Sequence, residues 1–463
     1  MIEPAEPKTE RPADAQRLVL VLPSSGEFDS RTYRIATSAL SRGHDVTVLA
    51  RWQAGLPREE VHSSGYRIIR VPASSIDGLP LPGLRRAIGQ RLRARRSLPE
   101  TSAGGGVATT ADPIPDGTSS AASGAPARQA SLPRRAFAGL IRRLAIPLTI
   151  RSHRRNAEAA APAADLYHGM AYMGIPVALA LGRRDRVPVV YDARDIYLEA
   201  RNLARMRGPA RWLLARAERA WAHRAARVIT VNDAYADVMA ERLRVRRPLV
   251  VMNCSYRYMP KAGGVRLFHE RLGLGSDVPV VLYHGGLFPH RGIEELIEAI
   301  DEIPTAHLVL MGYGVLADTL PAIVEASRSG DRIHLLPAVP PDVLHDWVAA
   351  ADVAAMPIQP STLNHRLTTP NKLFEAMAAG VPVVASDLPG MATIVRATRC
   401  GELCDPTDPA SIAAAIRTIL AAPLADRRAY GDRGRSAANE TYNWEAQADI
   451  LFDEYSRLTG RRW

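Results

Sequence analysis

Apolar residues first gather at 17–23 (RLVLVLP). A polar loop (SSGEFDSR), an amphipathic stretch (TYRIATSALSRG) and a second apolar run (HDVTVLA) follow. Strand, loop, helix, strand is the opening of a parallel α/β sheet. Gly43 stands where that helix needs a left-handed C-terminal residue. After a third run, YRIIRVPA, the pattern lapses. Residues 97–133 are rich in Gly, Ala, Ser, Thr and Pro and nearly free of large apolar side chains. Such a stretch cannot bury enough surface to offset its ordering entropy, so disorder is expected there. Alternation resumes with DLYHGM, PVVYDARD (188–195), a long helical region through 224, and RVITVND (227–233). A new series begins near 246: PLVVMN, PVVLYHGG, AHLVLMG, RIHLLPA, DVAAMPI and PVVASD. Most of these runs precede a helix-period segment. Two such series predict two doubly wound, Rossmann-like domains facing a central cleft. The predicted division is a tail (1–16), an N-terminal domain (17–245) with an insertion over about 84–155, a C-terminal domain (246–440) and a closing helix within 441–463 that packs back toward the first domain.

Composition narrows this little: 463 residues, 47% apolar and 23% charged, exclude a disordered or fibrous chain. Charge is more informative. The formal excess of +11 lies entirely between positions 85 and 155, where fourteen Arg meet three acids; the remainder holds 45 basic and 45 acidic residues. A nucleic-acid-binding surface would spread its cations over the fold, so nucleic acid is not an expected partner. Two Arg-rich stretches, 84–96 and 134–155, mix Arg with Leu, Ile or Phe. They read either as surface helices or as a patch for an anionic membrane surface. Lys occurs only at 8, 261 and 372, which makes Lys372 conspicuous. Three cysteines suit a reducing, cytoplasmic setting. The acidic, Pro-rich N-terminus predicts no signal peptide, and no apolar run reaches the ~18 residues of a spanning helix.

Two motifs carry candidate chemistry. In VPVVLYHGGLFPHRGIEELIEAI (278–300), a buried strand ends at Gly285 and Gly286, and a helix starts after Gly292 with Ile293, Leu296, Ile297 and Ile300 on one face. Backbone N–H groups at such a junction suit a phosphate, and Arg291 stands at the helix entrance. In TTPNKLFEAMAAGVPVVASD (368–387), Thr369 reads as the N-cap, Pro370 as the first helical residue and Gly380 as the stop. Lys372 falls in the first turn, where a cation opposes the helix dipole unless an anion binds there. Glu375, three residues on, shares its face. A cation for phosphate beside a carboxylate for sugar hydroxyls suits a nucleotide diphosphate sugar. A plain glycine-rich turn and a surface Lys–Glu pair are the alternatives.

The run PNKLFEAMAAGVPVVASD, with YHGGLFPHRGIEELIEAI, LVLMGYG and IHLLPAVPPDVLHDWVAAADVAAMPI before it, resembles the donor-binding half of retaining family-four glycosyltransferases. DSRTYRIATSALSRGHDVTVLA resembles the opening of their acceptor domain. The resemblance implies the two-domain GT-B fold and retaining transfer of a sugar, of hexosyl type, from a nucleotide diphosphate sugar to a carbohydrate or lipid-linked acceptor. No cofactor or metal is implied. Glu375 matches the glutamate at the ribose hydroxyls, Arg291 and Lys372 the cations at the diphosphate, with Asn371 beside them. Gly285 and Gly286 bring backbone near the phosphates, and Val339 lies where backbone meets the base. On the acceptor side the resemblance points to Asp195 and Arg194 at the reaction centre, with Arg31 and Glu199 as acceptor contacts; His168, directly after the strand DLY, is a further candidate there, and an Arg–Asp pair fixing the loop and a structural histidine are the alternatives. Two positions depart from the common pattern. Leu367 stands where many members carry a first glutamate toward the donor sugar, and Gly286 where many carry an Arg. A subset with the P-N-K-L-F-E helix shares this simplification. A non-catalytic GT-B subunit at the membrane and a nucleotide-sugar epimerase are the other readings.

Overall fold

The computed structural model describes residues 14–27, 29–75, 132–204, 206–259 and 266–463. The basic stretch 84–96 and nearly all of the low-complexity run 97–133 lie outside them. The last two residues of that run open a helix, Leu132–Ala160, which contains the second basic stretch.

Eight strands make the first sheet: β1 (Arg17–Val21), β2 (Asp45–Arg51), β3 (Glu59–Val61), β4 (Arg67–Val71), β5 (Leu166–Met170), β6 (Val189–Asp192), β7 (Arg227–Thr230) and β8 (Leu249–Val250), in the order β3-β4-β2-β1-β5-β6-β7-β8. The short β3 runs antiparallel to β4. The core strands β2, β1, β5 and β6 are parallel. Six strands make the second sheet: β9 (Val280–Gly286), β10 (His307–Tyr313), β11 (Ile333–Pro337), β12 (Val353–Met356), β13 (Val383–Ser386) and β14 (Gly401–Cys404), in the parallel order β11-β10-β9-β12-β13-β14. Strands β5, β6, β12 and β13 are buried at every position. That is why they read as continuous apolar runs: helices cover both faces of a parallel sheet. Alternate residues of β9 serve opposite faces, Val280 and Leu282 packing with Phe374 and Met377, Val281 and Tyr283 with Ile297 and Leu310.

The chain forms two compact units. One comprises Met1–Arg194, Arg207–Val228 and Glu454–Trp463; the other Asp195–Met206 and Ile229–Asp453. The helix Asp233–Leu243 therefore belongs to the second unit, whereas the sequence boundary at 245 puts it in the first domain. It buries Tyr235, Ala236, Met239 and Leu243, and polar bonds fix its start. Asn232 caps the helix through Tyr235 N and donates from Nδ2 to Leu367 O (2.8 Å) and Thr369 Oγ1 (3.3 Å). Tyr235 OH donates to Asn364 O (2.9 Å). Hydrophobic periodicity carries no trace of such bonds. In the first unit, the chain end is held by Trp463 against His44 (ring centroids 5.0 Å apart) and by Arg461, which donates to Gln16 Oε1 (3.0 Å).

The helix Leu132–Ala160 buries Ser152, His153 and Ala157. Burial pushes the His153 imidazole down to about 4, and Arg51 adds to the shift. An unfolded histidine titrates near 6.5. The unfolded chain therefore binds the proton more tightly, and the neutral ring contributes stability that is full above pH ~6.5 and lost as pH falls through about 4. Acidification from pH 7 to about 4.5 is expected to cost roughly 2–3 kcal/mol through this residue alone. Urea unfolding of wild type and His153→Leu at both pH values checks it. The variant should lose correspondingly less, and equal losses would refute the assignment.

Candidate functional site

Strand β9 places the first group of residues. Gly285 has φ +103°, and it pairs with Gly312 of β10, where a Cβ would lie 1.8 Å from Gly285 O. Tyr283 OH donates to Gly286 O (2.8 Å). The loop then reaches the helix Ile293–Asp301, whose Ile293, Leu296, Ile297 and Ile300 are buried as the periodicity predicts. Glu294 and Glu295 occupy its first turn and already complement its dipole.

The second group sits on the helix Asn371–Ala379. Leu373, Phe374 and Met377 are buried, and Gly380 ends the helix at φ +73°. The start differs from expectation. Pro370 is extended (φ −72°, ψ 146°) and Asn371 is the first helical residue. Thr369 does not cap the helix; its hydroxyl accepts from Asn232 instead. No side chain caps this N-terminus and no carboxylate occupies its first turn, unlike the helix after β9. Asn371 Oδ1 accepts from Asn253 Nδ2 (2.8 Å).

Lys372 Nζ lies 3.5 Å above the centroid of the Tyr283 ring, a cation–π contact that holds the ammonium against β9. Burial pushes its pKa well below the usual value, Arg291 pushes it further, and Glu375 pulls it back up. Two cations thus crowd one place, and their repulsion would be relieved by an anion between them. Glu375 Oε2 is 2.9 Å from His284 Nε2, and His284 is 3% exposed. The motifs do not single out His284. A polar residue in the otherwise apolar strand VVLYHGG, directly before the glycines, is the signal that could have found it. Val339, just past β11, is half-buried against the core.

The residues expected on the acceptor side divide. Arg31 and His168 are 1% and 0% exposed. Arg31 Nε donates to Asp192 Oδ2 (2.6 Å). His168 lies between Asp192 Oδ2 (Nε2, 3.1 Å) and Tyr455 OH (Nδ1, 2.6 Å). Burial lowers the His168 pKa, against the pull of Asp192. The ring is thus assigned as neutral, with Nε2–H donating to Asp192 and Nδ1 accepting from Tyr455. Burial alone would raise the Asp192 pKa, but Arg31 and His168 overcome it and hold the carboxylate well below its usual range. Both ring nitrogens of His168 are engaged and no surface is left for a substrate. His168 is buried and ties Tyr455 to the sheet, and the Arg31 guanidinium is buried against Asp192.

Arg194 pairs with Asp29, the N-cap of the helix Ser30–Ser41 (Nη1 to Oδ2, 2.7 Å). Asp29 would be raised by burial, but Arg194 brings it below its usual range. Asp195, next in sequence, belongs to the second unit, where its Oδ1 accepts from Asn364 Nδ2 (2.9 Å) and Asn364 Oδ1 accepts from Ile196 N (3.1 Å). Beside Asn364, burial brings the His365 imidazole down to about 4, with Arg291 and His290 adding and Asp195 opposing. Asp195, Arg291 and His365 therefore share one electrostatic neighbourhood. Glu199 Oε1 accepts from Arg242 Nη1 (2.9 Å). Among the described residues, no three His, Cys, Asp or Glu side chains gather to hold a metal, and no helix is long and apolar enough to cross a membrane.

Two domain families account for most of the chain. The family described as Glycosyl transferases group 1 matches residues 278–422, and the one described as Glycosyl transferase 4-like domain matches 106–254. Both matching models describe glycosyltransferase domains, one in each half of the chain. Its relatives include a D-inositol 3-phosphate glycosyltransferase of Xylanimonas cellulosilytica, 32% identical over 48% of this chain and 53% of the relative. Another is a GDP-mannose-dependent alpha-(1-6)-phosphatidylinositol monomannoside mannosyltransferase of Mycolicibacterium smegmatis, 31% identical over 44% and 54%. The chain spans about half the length of the curated relatives it matches. Among solved structures, sucrose-phosphate synthase of Thermosynechococcus elongatus superposes with a TM-score of 0.69 at 20% identity, over 96% of this chain and 99% of that one. HepE of Anabaena, solved with UDP, gives 0.64 at 16% identity, over 96% and 100%. The fold of the chain is GT-B, with one Rossmann-like sheet in each half.

Proposed function

We propose that the protein is a retaining glycosyltransferase that moves a hexose from a nucleotide diphosphate sugar to a glycan, glycolipid or small-molecule acceptor. The observation that carries this reading is the cation pair in the second unit: Lys372, depressed by burial and by Arg291, at a helix start that has neither a capping side chain nor an acid in its first turn. A diphosphate between the two cations would restore the Lys372 charge and accept the helix N–H groups. Glu375, held by His284, is assigned to the ribose hydroxyls, and the backbone at Gly285, Gly286 and Val339 to the phosphates and base.

Negative charge develops on the leaving diphosphate as the glycosidic bond breaks, and Lys372 and Arg291 are placed to stabilise it. In a front-face displacement that leaving group also takes the acceptor proton, so retention needs no protein nucleophile. Asp195, oriented by Asn364, is the carboxylate assigned to the acceptor hydroxyl. No resident metal is assigned. Cys254, Cys400 and Cys404 are buried free thiols, and a cytoplasmic setting would keep them so.

Relatives named for GDP-mannose and D-inositol 3-phosphate, and a neighbour of the same fold solved with UDP-glucose, define the first panel. UDP, GDP, UDP-glucose and GDP-mannose should be compared by thermal shift and by nucleotide release with inositol phosphate as acceptor. One diphosphate class is expected to stabilise the fold, by about 2.7 kcal/mol at a hundredfold excess over Kd. Absence of stabilisation and of turnover across the panel would overturn the reading. His284→Leu is expected to raise the donor KM about tenfold with a smaller change in kcat, since Glu375 loses one charge-assisted hydrogen bond. His284→Gln should restore part of the loss. A fall confined to kcat would argue against a positioning role.

A further inference from the structure

The first unit carries a groove lined by none of the residues assigned above. Three helices, Leu132–Ala160, Ala171–Asp185 and Gly208–Arg224, enclose about 530 Å³. Arg151, Arg154, Arg183 and Arg224 line it, all exposed, around an apolar floor that includes Leu179 and Trp221. None of the lining side chains is acidic. Glu158 lies 3.6 Å from Arg154, with both side chains more than 40% exposed. Such a contact carries little energy in water. Four guanidinium groups around apolar carbon therefore match a ligand with an anionic head and an apolar body.

The helix Gly208–Arg224 extends the same chemistry along the surface. Leu213, Ala217, Trp221 and Arg224 lie at offsets 0, 4, 8 and 11, which is one helical face. In its N-terminal part Trp212 and Leu213 are each 59% exposed. Adjacent large apolar side chains at a surface, on a helix that also carries arginines, match a membrane interface, where aromatic rings sit at headgroup depth and guanidinium groups meet phosphate. We propose that the groove, together with Trp212 and Leu213, docks on an anionic phospholipid bilayer. A lipid phosphate sits among the four arginines and its apolar part lies over Leu179 and Trp221. This assigns membrane attachment to described residues of the first unit, and it stands independently of the glycosyl-transfer reading.

Co-sedimentation with vesicles of phosphatidylcholine alone, and of phosphatidylcholine mixed with phosphatidylglycerol, tests it at low and near-physiological salt. Binding to the phosphatidylglycerol vesicles is expected, and it weakens with salt. An arginine near an anionic surface contributes about fivefold in affinity, so the double variant Arg183→Gln/Arg224→Gln should bind at least about tenfold more weakly. Trp212→Ser/Leu213→Ser should also weaken binding, with an unchanged unfolding midpoint. The comparison variant Arg91→Gln/Arg93→Gln/Arg95→Gln/Arg96→Gln should lose less than the groove variant. No binding by the wild type, wild-type binding by both groove variants, or a loss confined to the 91–96 variant would each overturn the proposal.

Discussion

Lys372→Ala is expected to lower kcat/KM for donor turnover by about 10²–10³-fold, the usual cost of removing one preorganised group from developing charge. Its unfolding midpoint should stay close to that of wild type or rise. The reason lies in the apo protein. The ammonium is depressed by burial and by Arg291, so it gives the fold little, and its packing over Tyr283 is a modest contact. The same depression predicts proton uptake on nucleotide binding: the bound diphosphate raises the Lys372 pKa toward its ordinary value, so the complex holds more protons than the free protein. Calorimetry of UDP or GDP in two buffers of different ionisation enthalpy reads this sign directly. Full turnover in Lys372→Ala would remove the diphosphate from this site. Lys372→Met, which keeps most of the stem over the ring, separates lost charge from lost packing and should be as inactive as the alanine variant.

Gly292→Ala is expected to destabilise the second unit by roughly 2–5 kcal/mol. The residue sits at φ +70°, and an added Cβ would lie 1.9 Å from Pro357 O. Left-handed backbone costs alanine about 1 kcal/mol; the rest comes from pushing the helix Ile293–Asp301 away from the carbonyl. That helix start also positions Arg291, so donor affinity should fall together with stability. Gly273 provides the comparison, because it has φ +66° and a Cβ added there would meet nothing within 4 Å. Gly273→Ala should cost only about 1 kcal/mol. Equal losses at the two positions in urea unfolding would show that backbone conformation alone, and not the Pro357 contact, sets the requirement at Gly292.

Much of the second unit was legible in the sequence. The apolar runs PVVLYHGG and PVVASD became β9 and β13, and the i, i+3, i+4, i+7 spacing named the four residues that the helix after β9 buries. Gly380 ends its helix as read. The start of that helix falls one residue later than the motif predicts. Proline fits N1 in general, but here Thr369 is drawn to Asn232, 137 positions away, and Pro370 stays extended. Polar partners in the first unit were equally hidden. Arg31 finds Asp192 across 161 positions and Arg194 finds Asp29 across 165. A motif marks such residues as important without showing whether they face a ligand or one another.

The division has a physical basis. Burial of an apolar face is a local, repeating requirement, so the chain by itself determined two parallel α/β sheets, the position of each core strand in the site and the Lys372–Glu375 pair on one helix face. A polar side chain has no such period; its state depends on which donor or acceptor the fold brings within about 3 Å. Only the tertiary structure turned His168 into a core residue between Asp192 and Tyr455, set His284 against Glu375, and assigned the adjacent Arg194 and Asp195 to different units.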